Sequence, residues 1–208
     1  MSLKNRYLRL QQDLLTYPHA QLVAVSKYTG TSHIEELAAL GQRVFAESRP
    51  QQLRDRAQLF PELDFHMIGP LQKNKAKYVA RYARMWHSLE DIETAKRVNH
   101  YVVGKPLPVL LQVKLDADNH HHGVNSVQLE QLYDEVSLLT NLQIKGLMCM
   151  AAKNQNAREI FQKLKTLLCN IGNGKMATLS MGMSGDYKLA LAEGSTMIRV
   201  GSSLFGQN

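Results

Sequence analysis

The sequence predicts an α/β fold, a single-domain (β/α)8 barrel, on three observations. Eight apolar segments of strand length recur along the 208 residues, segments of helical period separate them, and the strands are apolar at consecutive positions. Parallel strands buried on both faces have that character, and alternation of strand with helix is the mark of βαβ units. Eight units leave about 26 residues each, near the lower size limit of such a barrel. A doubly wound open sheet alternates in the same way and is the second architecture the pattern allows. No repeat, low-complexity tract or linker divides the chain, so residues 1–208 are read as one domain.

Taken in order, the N-terminal "MSLKNRYLRL" has charge without a following apolar run and reads as an amphipathic helix rather than a signal peptide. Strands are predicted at 22–25, 44–46, 65–68, 85–86, 108–115, 144–150, 177–181 and 197–200. Ser32 and Glu35 have capping-box spacing before the second helix, and Ser88 and Asp91 form a weaker version before a later one. Between the third and fourth strands, "KNKAKYVARYAR" puts Lys73, Lys75, Lys77, Arg81 and Arg84 on one predicted helix, read as a solvated basic face. Over 156–171, Ile160, Phe161, Leu164, Leu167, Leu168 and Ile171 make one buried helical stripe.

Composition bounds the function. Apolar residues are 44% and charged residues 21%, ordinary for a soluble globular chain, and no window approaches the 18 apolar residues of a membrane span. A cytoplasmic protein with no membrane partner is expected. Cys149 and Cys169 lack CxxC or zinc-type spacing, which suits unpaired thiols in a reducing compartment. The formal charge of +7 favours phosphate-bearing partners, but charge alone supports nucleic-acid binding, so none is expected.

In a barrel, chemistry belongs to the loops after the strands. There the sequence places Ser26-Lys27, Glu47-Ser48-Arg49, Gly69, Ser184 and Gly201-Ser202-Ser203, expected to converge on one face. A lysine at the mouth of an apolar barrel is partly desolvated, which favours the neutral amine as a Schiff-base nucleophile; a strand-end lysine snorkelling to solvent is the plainer reading of Lys27 alone. The loop Gly182-Met183-Ser184-Gly185-Asp186 offers backbone N–H groups and the Ser184 hydroxyl to an anion, and Gly201-Ser202-Ser203 follows the eighth strand. Loops after the seventh and eighth strands are where a phosphate often sits. Two such loops beside a lysine point toward a phosphorylated carbonyl cofactor. Arg199, inward-facing and always charged, can meet a phosphate, a carboxylate or a ring nitrogen, or form a structural ion pair. A phosphosugar-binding barrel remains the alternative at this point. The run His120-His121-His122 has divergent side chains and no accompanying HExxH or Cys/His set, so it is read as a loop and no metal is expected. Met148, Met150, Met181 and Met183 read as core. Dinucleotide, P-loop and nucleophile-elbow motifs are absent from the sequence.

These landmarks resemble the pyridoxal phosphate homeostasis protein family, also called the YggS or PROSC family, whose fold is the alanine racemase N-terminal barrel of fold type III. The matching stretches are "AVSK" at 24–27, "HMIGPLQKNKAKYV" at 66–79, "HSLED" at 87–91, "LQVKLD" at 111–116, "IKGLMCMA" from Ile144, "LSMGMSGDY" at 179–187 and "TMIRVGSSLFG" at 196–206. They cover nearly the whole chain in order. The resemblance implies that Lys27 holds pyridoxal 5'-phosphate (PLP) as an aldimine, that Ser184, Gly201 and Ser202 hold its phosphate, and that Arg199 faces the pyridine nitrogen. Since an arginine does not readily give up its proton, the ring nitrogen would stay unprotonated and the cofactor would be a weakened electron sink.

Some positions depart from the family pattern. Ala46-Glu47-Ser48 stands where Gly-Glu-Asn is usual, so at Ser48 a short hydroxyl replaces an amide that reaches the cofactor. Pro70 replaces a histidine, histidines occupy the loop that normally carries a lysine before Gly123, Ser202 stands for threonine, and the chain is somewhat short. The resemblance implies a monomeric carrier that keeps free PLP low and releases it to apo-enzymes. The alternative is a PLP-dependent amino-acid racemase or weak one-base enzyme. Alanine racemases recruit a tyrosine base from a second domain, for which no residues are expected beyond Asn208.

Overall fold

The computed structural model describes residues 1–115, 122–151, 156–171 and 174–206. Helix α1 (Leu3–Leu15) comes first, followed by β1 (Gln21–Val25), α2 (Thr31–Ala39), β2 (Val44–Glu47), α3 (Pro50–Leu59) and β3 (Asp64–Met67). A 3₁₀ turn at Lys73–Lys75 leads into α4 (Ala76–Tyr82), then β4 (Met85–Leu89), α5 (Ile92–Tyr101), β5 (Leu107–Lys114), a two-residue β6 (Val124–Asn125) and α6 (Leu129–Ser137). The rest is β7 (Leu142–Met148), α7 (Ala157–Asn170), β8 (Thr178–Ser180), α8 (Tyr187–Ala192), β9 (Met197–Val200) and α9 (Ser202–Phe205).

The strands pair in parallel in the order β4-β3-β2-β1-β9-β8-β7-β5, and β4 also pairs with β5, so eight strands close into a barrel. Closure decides between the two architectures that periodicity left open. The short β6 rides on β5 outside this ring.

Side chains alternate across the wall because the strand period is two. Leu22, Ala24, Phe45, Phe65, Met67, Ile198 and Val200 face outward into one core shared with Ile34, Leu37, Leu53, Val79, Val98, Phe161 and Leu164 of the helices. Val23, Val44 and Ala46 form a separate inner cluster with Val25, Ile68 and Met197. The register sets Val23 beside Arg199 and Ala46 beside His66, so these two polar residues share the inner face. The expectation of strands apolar on both faces therefore holds on the outside and only in part in the barrel interior, where His66, His87, Ser180 and Arg199 are buried beside that apolar cluster.

Helix starts differ in detail from the motif reading. In α2 the N-cap is Gly30, with no side-chain cap, because the preceding turn (Thr29 N–H to Ser26 O, 3.1 Å) starts the helix before Ser32 can cap it. Before α5, Asp91 itself is the N-cap and accepts from Thr94 N–H at 2.8 Å, whereas Ser88 belongs to β4. The basic run does not share one helix. Lys73 and Lys75 lie in the 3₁₀ turn, Lys77 and Arg81 in α4, and Arg84 beyond it, where it pairs with Asp64 at 3.1 Å. Among the described residues, no helix is long and apolar enough to cross a membrane.

Helix α1 buries Leu3, Tyr7, Leu10 and Leu14 at helical spacing. It also grips the C-terminal end of the barrel. Arg6 Nε donates to Leu204 O at 2.6 Å and Arg6 Nη2 to Phe205 O at 3.1 Å, while Asp13 accepts from Tyr187 Oη at 2.7 Å and pairs with Lys188 at 3.2 Å. Burial together with the Asp13 carboxylate pushes the Tyr187 phenol up to about 12.

Candidate functional site

The end of β1 fixes the first site residue. Val23 and Val25 face inward on β1, and Lys27 follows two residues on, in the turn that Thr29 N–H closes on Ser26 O at 3.1 Å. Lys27 is half-buried, with Nζ 5.1 Å from the centroid of the Tyr28 ring.

Its neighbour Ser26 is not at the mouth. It is fully buried and donates to Glu47 Oε1 at 2.6 Å. Glu47, the last residue of β2, has Phe45's outward parity and sits beneath α3, where Arg56 Nε approaches Oε1 at 3.6 Å. Arg56 Nη2 in turn donates to Thr29 O. The group is a brace that pins the turn carrying Lys27 to β2 and α3. Burial pushes the Glu47 carboxyl up, opposed by Ser26, by Arg56 and by the nearby Lys27 charge. Glu47 Oε2 and Arg56 Nη1 are both buried without a hydrogen-bond partner among the described residues. Of the polar residues expected to converge on one face, Ser26 and Glu47 thus point away from it.

Ser48 follows at the half-buried edge of the mouth. Gly69 at the end of β3 approaches its backbone so closely that a Cβ on Gly69 would lie 2.2 Å from Ser48 O. Gly69 O accepts from Ser88 Oγ at 2.5 Å.

On the other side, Arg199 is 4% exposed. Nη1 donates to Ser180 Oγ at 2.7 Å and Nη2 to Cys149 O at 2.9 Å. Among the described residues, neither acceptor is a carboxylate, so Arg199 is a buried cation held by neutral oxygens. Burial pulls its basicity down, opposed by the charges of Cys149 and Asp186. Two residues on, Gly201 lies against β1, and a Cβ there would meet Val25 O at 3.2 Å. The β1–β9 register therefore brings the strand end bearing Lys27 next to Arg199 and Gly201.

The loops after β8 and β9 are joined, since Ser203 N–H donates to Ser184 Oγ at 3.1 Å. Ser202 is exposed at the start of α9. One expectation changes here. Met183 N–H is not a free anion donor, because Asp186 Oδ1 takes it at 2.5 Å, and Gly182 forms the turn at φ 92° with Ala190 packed on it. What the loop leaves for a ligand centres on Ser184.

Below the mouth is a set of residues that strand-end reasoning missed. His66 Nδ1 and His87 Nε2 lie 2.9 Å apart, and His87 Nδ1 lies 2.9 Å from Ser180 Oγ. Burial pulls His66 down to about 4 and His87 well below its ordinary value. Inward parity was the available signal: His66 on β3 stands two residues before the inner-cluster residue Ile68, and His87 stands two residues after Met85.

Of the histidine run, His120 and His121 lie outside the described residues, while His122 is exposed, 3.4 Å from Glu90, and its carbonyl accepts from Gln112. A cavity of about 560 Å³ lined by Tyr7, Gln11, Gln42 and Arg43 lies at the opposite, N-terminal end of β1 and β2.

The chain matches the family model described as alanine racemase, N-terminal domain, over residues 2–208. It is 34% identical to the pyridoxal phosphate homeostasis protein of Escherichia coli K12, over 89% of this chain and 84% of that protein. The protein of the same name from Vibrio alginolyticus is 36% identical, over 89% and 85%. The structure of PipY from Synechococcus elongatus PCC7942 with PLP bound superposes with a TM-score of 0.90 at 34% identity, covering 99% of this chain and all of that one. Alanine racemase of Clostridium difficile 630 shares the fold alone, with a TM-score of 0.76 at 14% identity over 99% of this chain and 56% of that one.

Proposed function

The chain belongs to the pyridoxal phosphate homeostasis protein family, and from that premise we propose that it binds PLP at the mouth between β1, β8 and β9. The observation that carries the reading is the β1–β9 register, which sets the Lys27 strand end beside a buried guanidinium held by neutral oxygens and a glycine pressed on Val25.

The residues present fit the cofactor. The joined Ser184 and Ser203 loops, with Gly201 and Ser202, offer hydroxyl and backbone donors for a phosphate. Arg199 offers a permanent donor for the ring nitrogen, and Lys27 a half-buried amine for the aldehyde. Ser48 stands at the edge, its hydroxyl too short to replace an amide across the ring. Bound PLP supplies an aldehyde that condenses with amines and a ring that withdraws electrons. Lys27 would hold the cofactor through its amine, the group with which such an aldehyde condenses with loss of water. The brace of Ser26, Glu47 and Arg56 holds the turn that delivers this amine.

The physiological role that follows is homeostasis and carriage of PLP, as a cytoplasmic monomer that yields the cofactor to apo-enzymes. A protonated Arg199 leaves the ring a poor electron sink, which favours holding over turnover. The test is the visible absorption spectrum before and after addition of PLP, followed by reactivation of a PLP-requiring apo-enzyme with the loaded protein. A yellow complex that restores the apo-enzyme is expected. A chain that stays colourless with added PLP overturns the binding, and a complex that racemises amino acids rapidly without yielding cofactor overturns the carriage.

A further inference from the structure

A buried arginine facing a ligand must be held in one orientation, and the structure contains a device for this that the site's own contacts do not require. Ser180 Oγ takes Arg199 Nη1 at 2.7 Å, His87 Nδ1 lies 2.9 Å from the same oxygen, and His66 Nδ1 lies 2.9 Å from His87 Nε2. The donors can be assigned. Arg199 only donates. If Ser180 then gives its single hydrogen to His87 Nδ1, His87 carries its proton on Nε2 and donates to His66 Nδ1. The Ser180 hydroxyl hydrogen and the His87 imidazole hydrogen are then both used, and both run away from Arg199. In the reverse arrangement Ser180 Oγ receives two donors, and among the described residues its own hydrogen has no acceptor, a costly state for a group with no solvent exposure.

We propose that Ser180, His87 and His66 are positioning residues that run as a one-directional hydrogen-bond chain through the barrel. They anchor one edge of the Arg199 guanidinium so that its remaining donors select a ligand presenting a hydrogen-bond acceptor. The inference rests on the proposed PLP site and adds to it what sets the ring-nitrogen preference. The chain contains no carboxylate, so nothing in it draws the guanidinium back into an internal ion pair.

The test compares binding of PLP with binding of its 1-deaza analogue, in which C–H replaces the ring nitrogen, by calorimetry on the cofactor-free protein. Wild type should prefer PLP by about tenfold or more, the scale of one hydrogen bond to a charged group. Ser180→Ala and His87→Leu should bring that ratio near one by weakening PLP binding while the deaza analogue binds as before. His87→Asn, which can still accept from Ser180, should keep most of the preference. Variants that keep the wild-type ratio, or that lose both ligands alike, overturn the proposal, as does a wild type that binds both ligands equally well. A wild type that binds neither overturns the PLP site itself and this inference with it. Should the variants fail to fold, ¹⁵N spectra of wild-type histidines decide: neutral rings with the proton on Nε2 at His66 and His87 are expected, and a proton on His87 Nδ1 overturns the chain.

Discussion

Replacing His66 by asparagine should flatten the acid side of the protein's stability profile. His66 has an ordinary value of 6.5 in the unfolded chain and about 4 in the folded protein, because burial disfavours the imidazolium. Between those values the unfolded chain binds a proton that the folded one does not, so stability is full above 6.5 and is lost as pH falls through 6.5 toward about 4. The slope is ~1.4 kcal/mol per pH unit per histidine, and for His66 the whole window is worth ~3 kcal/mol. His87 acts in the same direction, being held down by burial first and then by His66 and Arg199. Asparagine at 66 keeps an acceptor oxygen for His87 but does not titrate. Urea midpoints of wild type and His66→Asn at half-unit steps from pH 4.5 to 7 should therefore give curves whose slopes differ by ~1.4 kcal/mol per pH unit, wild type being the steeper. Glu47 contributes with the opposite sign: its folded value is raised, so stability is lost as pH rises through it, equally in both proteins. Parallel curves over this range would refute the reasoning, because they would mean that His66 ionises in the folded protein as it does in water.

Arg56→Met should cost ~3–5 kcal/mol at pH 7, since it leaves the buried Glu47 carboxylate without its cation. Lowering the pH toward 5 or adding Glu47→Gln should restore much of that loss in denaturant titrations. Gly69→Ala should destabilise by about 3 kcal/mol, because its Cβ would stand 2.2 Å from Ser48 O and force β3 from β2; a midpoint within error of wild type would contradict the close approach. Arg6→Ala removes the donors on Leu204 O and Phe205 O, so amide exchange at 204–206 should accelerate while that of the outer core, such as Phe45 and Phe65, holds.

The fold was largely legible because its signal is local. Eight apolar segments of strand length and the helical stripe over 156–171 can be read from spacing, and Asn156 and Ile171 do bound α7 as its flanking caps. Closure was not legible, because pairing of β4 with β5 is a non-local fact that an open sheet would lack. Lys27, Ser184, Arg199 and Gly201 could be named because they stand at strand ends or in glycine loops, where a polar residue breaks an apolar run. His66 and Ser180 were hidden inside runs taken to be apolar throughout, His87 lay just past a strand predicted only over 85–86, and only the inward parity shared with Ala46 and Arg199 singles them out. Glu47 shows the converse error. It stands at a strand end, yet its outward parity sends it under α3, which sequence position alone does not reveal.

Retention of PLP in the proposed site depends on Lys27. Loading the protein with PLP, reducing it with borohydride and mapping the modified peptide should find one stable pyridoxyl adduct, on Lys27, and Lys27→Ala should take up PLP without becoming fixed by reductant. An adduct on another lysine, or a Lys27→Ala protein that is fixed as efficiently as wild type, would contradict it.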